Sequence, residues 1–295
     1  MRRLLASAAL ASTLALPLVA QTFHSGVLTV PVAVTVVDPQ GRPVTGLTRD
    51  DFEILEDGTP QPVSAFAGGR VPVSVGLVLD TSDSMRGQAI AQARAALDRF
   101  LGELLRPEDE AFVATFSHTP RLVAVWTRPP ATLVHALDAV KPFGGTAIYD
   151  AVAATAPLFA RRANQRAAIV LVSDGADTAS DYTLARVLQV VRRADATVYA
   201  VGIDAPDARA STRVNPQALG ELTGMSGGYT EVVHGADELG PATERIAREL
   251  DSQYLLGFTP TRPLDGSWRA IRVKVRGAGY TTRARRGYYA DRESR

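Results

Sequence analysis

Apolar residues recur at every second position through Leu28, Val30, Val32, Val34 and Val36, the alternation of a half-buried β-strand. Asp38-Pro39-Gln40-Gly41 then supplies turn chemistry, and Asp57-Gly58 divides 52–55 from 63–66, so residues 27–66 read as β-hairpins. From Ser74 the pattern changes. Short β-branched runs at 75–80, 111–116, 121–126, 167–174, 197–203 and 229–233 alternate with helical spacing, the signature of a mostly parallel sheet covered by helices. Ile90, Ala93, Leu97, Phe100 or Leu101, and Leu104 repeat at helical intervals until Pro107. A second helix follows Gly145, with a kink expected at Pro157. Leu184, Val187, Leu188 and Val191 mark a third, Asn215 and Pro216 open a fourth, and 236–250 forms the last. Runs 111–116 and 121–126 are too close for a helical connection, so one of them should be an antiparallel edge. The chain returns to β at 253–259, 268–276 and 280–289, with turns at Asp265-Gly266 and Gly277-Ala278-Gly279. No repeat of solenoid length is present.

The expected fold class is α/β: a doubly wound, mostly parallel six-stranded sheet with a flanking β module drawn from both chain ends. The alternating faces of Val30, Val32, Val34 and Val36 and of Ile271, Val273 and Val275 each need a cover, and pairing the two segments supplies it. The expected plan is a signal peptide at 1–20, an N-terminal β segment at 21–70, the α/β domain at 71–252 and a C-terminal β segment at 253–295 that packs with 27–66.

Residues 1–20 carry Arg2 and Arg3, an apolar stretch from Leu4, Pro17 and the small Ala20 before Gln21, the pattern of a cleaved secretory signal. As an anchor the stretch would be barely long enough to span, and Ser7, Ser12, Thr13 and Pro17 interrupt it. The remaining chain is expected outside the cytoplasm, secreted or periplasmic, without a stable membrane span. With 46% hydrophobic and 21% charged residues among 295, the chain can bury a sizeable core. The 32 basic and 31 acidic residues give a net charge of +1, so no basic excess exists to hold nucleic acid. The absence of cysteine removes disulfides, thiolate metal sites and a thiol nucleophile.

In open α/β sheets ligands bind beyond the carboxyl ends of the strands, and three oxygen-rich segments fall there: Asp80-Thr81-Ser82-Asp83-Ser84, Gly144-Gly145-Thr146 and Ser173-Asp174-Gly175. Two carboxylates and three hydroxyls without imidazole or thiol suit Mg²⁺ or Mn²⁺ rather than zinc or copper. Water should keep several positions, and an acidic group from another molecule can take one. Each segment also has a plainer reading: a helix N-cap at Asp80–Ser84, a glycine turn at Gly144-Gly145 and a strand-exit turn at Ser173–Gly175. Their joint placement at one sheet edge favours a metal.

Asp80, Ser82, Ser84, Thr146 and Asp174 resemble, in order and strand context, the metal-ion-dependent adhesion site of von Willebrand factor type A domains, over about 71–250. The resemblance implies a Rossmann-like fold in which Ser82 and Ser84 bind the metal directly and Thr146 directly or through water. It further implies that Asp80 and Asp174 act through metal-bound waters, and that a protein partner's Asp or Glu completes the shell. The whole chain is similar to a bacterial exported subgroup, through Gly287-Tyr288-Tyr289 and Tyr254-Leu255-Leu256-Gly257-Phe258. The function expected is an exported adhesion-type binding module and not an enzyme. The alternatives are a structural envelope protein with incidental metal, and a hydrolase.

The rival chemistries fail on named residues. Gly224-Met225-Ser226-Gly227-Gly228 fits G-x-S-x-G, but a helix precedes it and a strand follows, the reverse of a nucleophile elbow. His24, His118, His135 and His234 are scattered without paired ligand spacing and read as surface or structural, and no phosphate-cradling glycine motif exists for a nucleotide. Lys141-Pro142 suggests a phosphotransfer domain, but the acidic pair beside Asp80 is missing, and Ser82 stands where a haloacid dehalogenase would need a second Asp. No EF-hand spacing follows Asp80 or Asp174, which makes Ca²⁺ second choice. Asp83, Asp177 and Asp181 read as solvated or capping, and Arg283, Arg285 and Arg286 as a solvated strand face.

Overall fold

The structure, a computed structural model, describes residues 29–204, 213–277 and 279–291. The signal-like segment 1–20, Leu28, His24 and Ala278 lie outside these residues.

Before the α/β unit come β1 (Val30–Val37), β2 (Phe52–Glu56), β3 (Thr59–Gln61) and β4 (Ala65–Ala67). The unit itself runs β5 (Val73–Asp80), α1 (Gln88–Arg99), β6 (Glu110–Phe116), β7 (Pro120–Thr127), α2 (Ile148–Thr155) and β8 (Arg166–Ser173). It continues with α3 (Leu184–Ala194), β9 (Thr197–Ile203), α4 (Pro216–Ser226), β10 (Thr230–Val233) and α5 (Leu239–Ser252). The chain closes with β11 (Tyr254–Phe258), β12 (Trp268–Val275), β13 (Thr281–Ala284) and β14 (Gly287–Tyr289).

The six-stranded sheet has the order β10-β9-β8-β5-β6-β7, parallel except for β7, which pairs antiparallel with β6 at the edge. Both central strands, β5 and β8, are buried along their whole length because helices cover both faces. Leu77, Leu79, Val170 and Val172 pack with α1 and α5 on one face. Val78, Ile169 and Leu171 pack with α2, α3 and α4 on the other. From β5 the chain winds outward through β6 and β7, then restarts at β8 on the other side. The carboxyl ends of β5 and β8 therefore flank the point where the winding reverses, which is where such sheets open a crevice.

Local signals set several boundaries. Asn215 accepts a hydrogen bond from the Ala218 amide at 3.1 Å, with Pro216 next to it as the first residue of α4. The first helix leaves α geometry after Arg99 and runs as a π-turn over Phe100–Leu104. Beyond Gly145, α2 gives way to a 3₁₀ segment, Ala156–Arg161, at Pro157, which has no amide proton to continue the α ladder. The last helix begins as a 3₁₀ turn at Ala236–Glu238 before α5.

The flanking strands form two further sheets, β13-β1-β11-β4 and β14-β12-β2-β3. Val32 lies opposite Leu256 and Ile54 opposite Val273, and Val32, Val34, Ile54, Leu256, Phe258 and Val273 share one core. Residues 27–66 do not form the expected run of hairpins. β1 pairs with β11 and β13 rather than with β2, and Asp57-Gly58 turns β2 into β3, not into 63–66. β4 instead joins β11, because longer apolar partners from the far end of the chain bury more surface than a local hairpin does. Likewise 280–289 is two strands in different sheets, β13 beside β1 and β14 beside β12.

A buried polar cluster joins the flanking sheets to the α/β unit. Glu249 on α5 accepts hydrogen bonds from Thr35 and Tyr199, both at 3.0 Å, and from Arg283. Arg166 donates to the Gln253 side chain at 2.6 Å and to the Val71 carbonyl at 2.7 Å. Arg285 reaches Asp195 at 2.5 Å. Arg283 and Arg285 are thus not a solvated strand face. They are half-buried ion-pair partners across this junction, Arg283 supplying a counter-charge to buried Glu249 and Arg285 joining half-buried Asp195.

Candidate metal centre

β5 delivers Asp80 fully buried at its carboxyl end. One carboxylate oxygen accepts from the Ser82 amide at 2.7 Å and the other from the Ser173 hydroxyl at 2.5 Å, so the side chain is clamped between β5 and β8. Ser82 and Ser84 flank the start of a short 3₁₀ turn, Asp83–Met85, with their hydroxyl oxygens 3.0 Å apart. The Ser84 hydroxyl donates to Asp174 at 2.7 Å. A helix cap is not what this motif builds, because the Ser82 side chain makes no capping hydrogen bond and α1 starts only after Gly87.

Thr146 reaches the same place from another loop. The Asp83 amide donates to the Gly144 carbonyl at 2.9 Å, and the Phe143 amide to the Thr81 carbonyl at 2.8 Å. Gly144 has φ +77°, and a Cβ there would lie 2.1 Å from the His118 ring, so only glycine lets the loop pass. The Thr146 carbonyl accepts from the Thr178 and Ala179 amides at 2.8 and 3.1 Å, which tethers it to the loop after β8. Hydrogen bonds link Ser82, Ser84 and Asp174, and Asp80 is bonded to the Ser82 backbone. Thr146 joins them through backbone hydrogen bonds, its own carbonyl to the loop after β8, the Gly144 carbonyl to Asp83 and the Phe143 amide to Thr81. Asp80, Ser82, Thr146 and Asp174 are buried and Ser84 is exposed, so the cluster opens to solvent on the Ser84 side.

Burial pushes the Asp80 carboxyl up to about 7, the charge of Asp174 adds to the rise, and the hydrogen bonds from Ser173 and Ser82 oppose it. Burial likewise raises Asp174 against the hydrogen bond from Ser84. Among the described residues no Lys or Arg pairs with either carboxylate, so two neighbouring buried acids lack a counter-charge. A small hard cation would supply one, and an all-oxygen donor set would match it.

The remaining sequence candidates have plainer roles. Asp83 is exposed and paired with Arg86 at 2.6 Å, which holds its carboxyl below the usual range. Asp177 accepts from the Tyr149 amide at 3.0 Å in the first turn of α2. The Ser226 hydroxyl is buried between the Val198 amide, which donates to it at 2.7 Å, and the Thr223 carbonyl, which accepts from it at 2.8 Å. Residues missed by motif reading are Ser173, which holds Asp80, and His118 and Phe143 at the rim. The His118 and Phe143 rings meet edge to face at 5.3 Å, and Phe143 is 52% exposed. Their signal was faint: one serine in a strand end already noted, and two isolated aromatic positions.

Residues 75–176 match the family model of the von Willebrand factor type A domain, a span that includes Asp80, Ser82, Ser84, Thr146 and Asp174. The α/β unit is a von Willebrand factor type A domain. A solved von Willebrand factor type A structure from Catenulispora acidiphila aligns with 88% of this chain and 73% of its own at 14% identity and a TM-score of 0.55. An aerotolerance-related membrane protein from Bacteroides fragilis aligns with 60% of this chain and 99% of its own, at 18% identity and a TM-score of 0.50. Proximal thread matrix protein 1 from the mussel byssus aligns with 75% of this chain and 50% of its own, at 16% identity and a TM-score of 0.52. At such identities the likeness is one of fold. No curated protein matches the chain.

Proposed function

We propose that this chain is an exported adhesion-type binding module that captures a protein partner through a divalent metal held by Asp80, Ser82, Ser84, Thr146 and Asp174. Ser82, Ser84 and Thr146 would hold the ion, Mg²⁺ or Mn²⁺, with Asp80 and Asp174 reaching it through water. An Asp or Glu of the partner would enter from the open Ser84 side. The observation that carries this reading is the pair of buried, uncompensated carboxylates at the winding reversal of a von Willebrand factor type A domain. Phe143, whose amide donates a hydrogen bond to the Thr81 carbonyl, offers an exposed apolar anchor beside that entrance. Binding rather than catalysis fits five residues that offer carboxylates and hydroxyls, of which Ser82, Ser84 and Asp174 are already hydrogen-bonded to one another.

The test is a pull-down from an envelope extract of the native host, with Mg²⁺ and with chelator. A defined set of proteins should be retained only with Mg²⁺ and should be lost with Asp174→Ala. Retention that ignores both chelator and substitution would favour the structural reading, in which the fold scaffolds the envelope and the metal is incidental.

The domain plan belongs to the same proposal: signal peptide 1–20, β segment 21–70, binding domain 71–252 and β segment 253–295. Among the described residues no helix is long and apolar enough to cross a membrane. Export rests on the charged, apolar and small-residue order of 1–20. Mass spectrometry of protein from the native host should find the mature N-terminus at or near Gln21, and intact Met1–Ala20 in a membrane fraction would replace secretion with anchoring.

A further inference from the structure

A second group of metal-ligating side chains lies away from the centre just described. Asp98 sits near the end of α1, about 15 Å down the helix from its start beside Ser84, at 1.5 Å per residue. His135 and Asp138 occupy the turns after the 3₁₀ segment Pro130–Leu133. The His135 Nδ1 faces Asp98 Oδ2 at 3.5 Å and Asp138 Oδ2 at 3.4 Å. One ligand atom from each of the three residues falls within 4.8 Å of the others.

The spacing is informative. A charged hydrogen bond would draw nitrogen and oxygen to about 2.7–2.9 Å. Four ligands at about 2.0–2.1 Å from zinc stand about 3.3 Å apart along each edge of their tetrahedron. Both nitrogen–oxygen separations here are close to that edge. The other oxygen of Asp98 is engaged by the His135 amide at 3.0 Å, which orients the carboxylate and leaves Oδ2 toward the imidazole. His135 adopts φ +69°, a left-handed conformation in which histidine, like Asn and Asp, is enriched among non-glycine residues, and its ring lies within 3.5 Å of both acids.

We propose that Asp98, His135 and Asp138 form a second, independent cation site, selective for a borderline transition ion such as Zn²⁺ and completed by water. The imidazole decides the selectivity, since nitrogen suits zinc while Mg²⁺ demands oxygen and octahedral geometry. An ion there would tie the end of α1 to the 134–140 turns, which the Arg94 guanidinium also bridges by donating to the Val140 carbonyl.

Titration calorimetry of the full chain with Zn²⁺ in excess Mg²⁺ tests the site. Wild type and Asp80→Ala should each take one Zn²⁺ at this site, and His135→Asn should weaken its binding at least tenfold. Asparagine tolerates the left-handed backbone, and the residue is exposed, so folding should survive. As a second readout, the His135 ring protons should shift on adding Zn²⁺ and not on adding Mg²⁺. The proposal is overturned if wild type takes up no Zn²⁺ in excess Mg²⁺, if His135→Asn binds like wild type, or if Asp80→Ala abolishes the uptake.

Discussion

Saturating Mg²⁺ should raise the melting temperature of the α/β unit by about 5–10 °C. An ion that binds only the native state contributes RT ln(1 + [L]/Kd), about 2.7 kcal/mol at a hundredfold excess over Kd. For a domain of this size each kcal/mol moves the midpoint by roughly 2–4 °C. The effect should depend on pH in a definite direction. Without metal, the native state holds a proton on Asp80 up to about pH 7, whereas the unfolded chain loses it near 3.8. Between those values rising pH removes stability from the metal-free protein, because the unfolded state binds fewer protons than the native state there. The ion competes with that proton, so the shift at pH 8 should exceed the shift at pH 6. Asp80→Ala and Asp174→Ala should abolish the response while the metal-free fold persists, since Asp80 ends β5 and Asp174 follows β8, both outside the apolar core clusters. Scanning calorimetry with Mg²⁺ and with chelator measures this, and a midpoint that ignores millimolar Mg²⁺ would count against an occupied centre.

The other large effect concerns the flanking sheets. Deleting 253–295 removes β11, which lies between β1 and β4, and β12, which lies between β2 and β14. What remains of the two sheets is β1 and β4 without partners and the β2–β3 hairpin, and isolated hairpins are marginal in water. Leu256, Phe258, Ile271, Val273 and Tyr288 leave the shared core at the same time, and Glu249 and Asp195 lose Arg283 and Arg285. Hydrogen exchange should show protection collapsing at Val32, Val34 and Val36 while the amides around Leu79 and Leu171 stay slow. Persistent protection in β1 after the deletion would mean that the N-terminal strands hold themselves together.

Much of the fold is written in local pattern. The six strand runs, the antiparallel edge, the Asn215-Pro216 helix start and the breaks at Pro107 and Pro157 follow from side-chain period, capping and missing amides, all of which act within a few residues. The oxygen-rich segments were legible for the same reason, as Asp, Ser, Thr and Gly stand at predictable strand ends. What a single chain direction could not reveal is which distant groups meet. An alternating strand such as β2 suits any partner with a matching face, and β12 wins over 63–66 only because the whole chain buries more apolar surface that way. Arg283 and Arg285 read as solvent-exposed cations until the fold brought buried Glu249 and half-buried Asp195 opposite them. His135 read as one of four scattered histidines until α1 brought Asp98 beside it. Local conformational preference thus determines elements and motif positions from sequence alone. Pairing, ion-pair partners and the convergence of ligands are decided in three dimensions, because burial and Coulomb attraction depend on distances that only the packed chain defines.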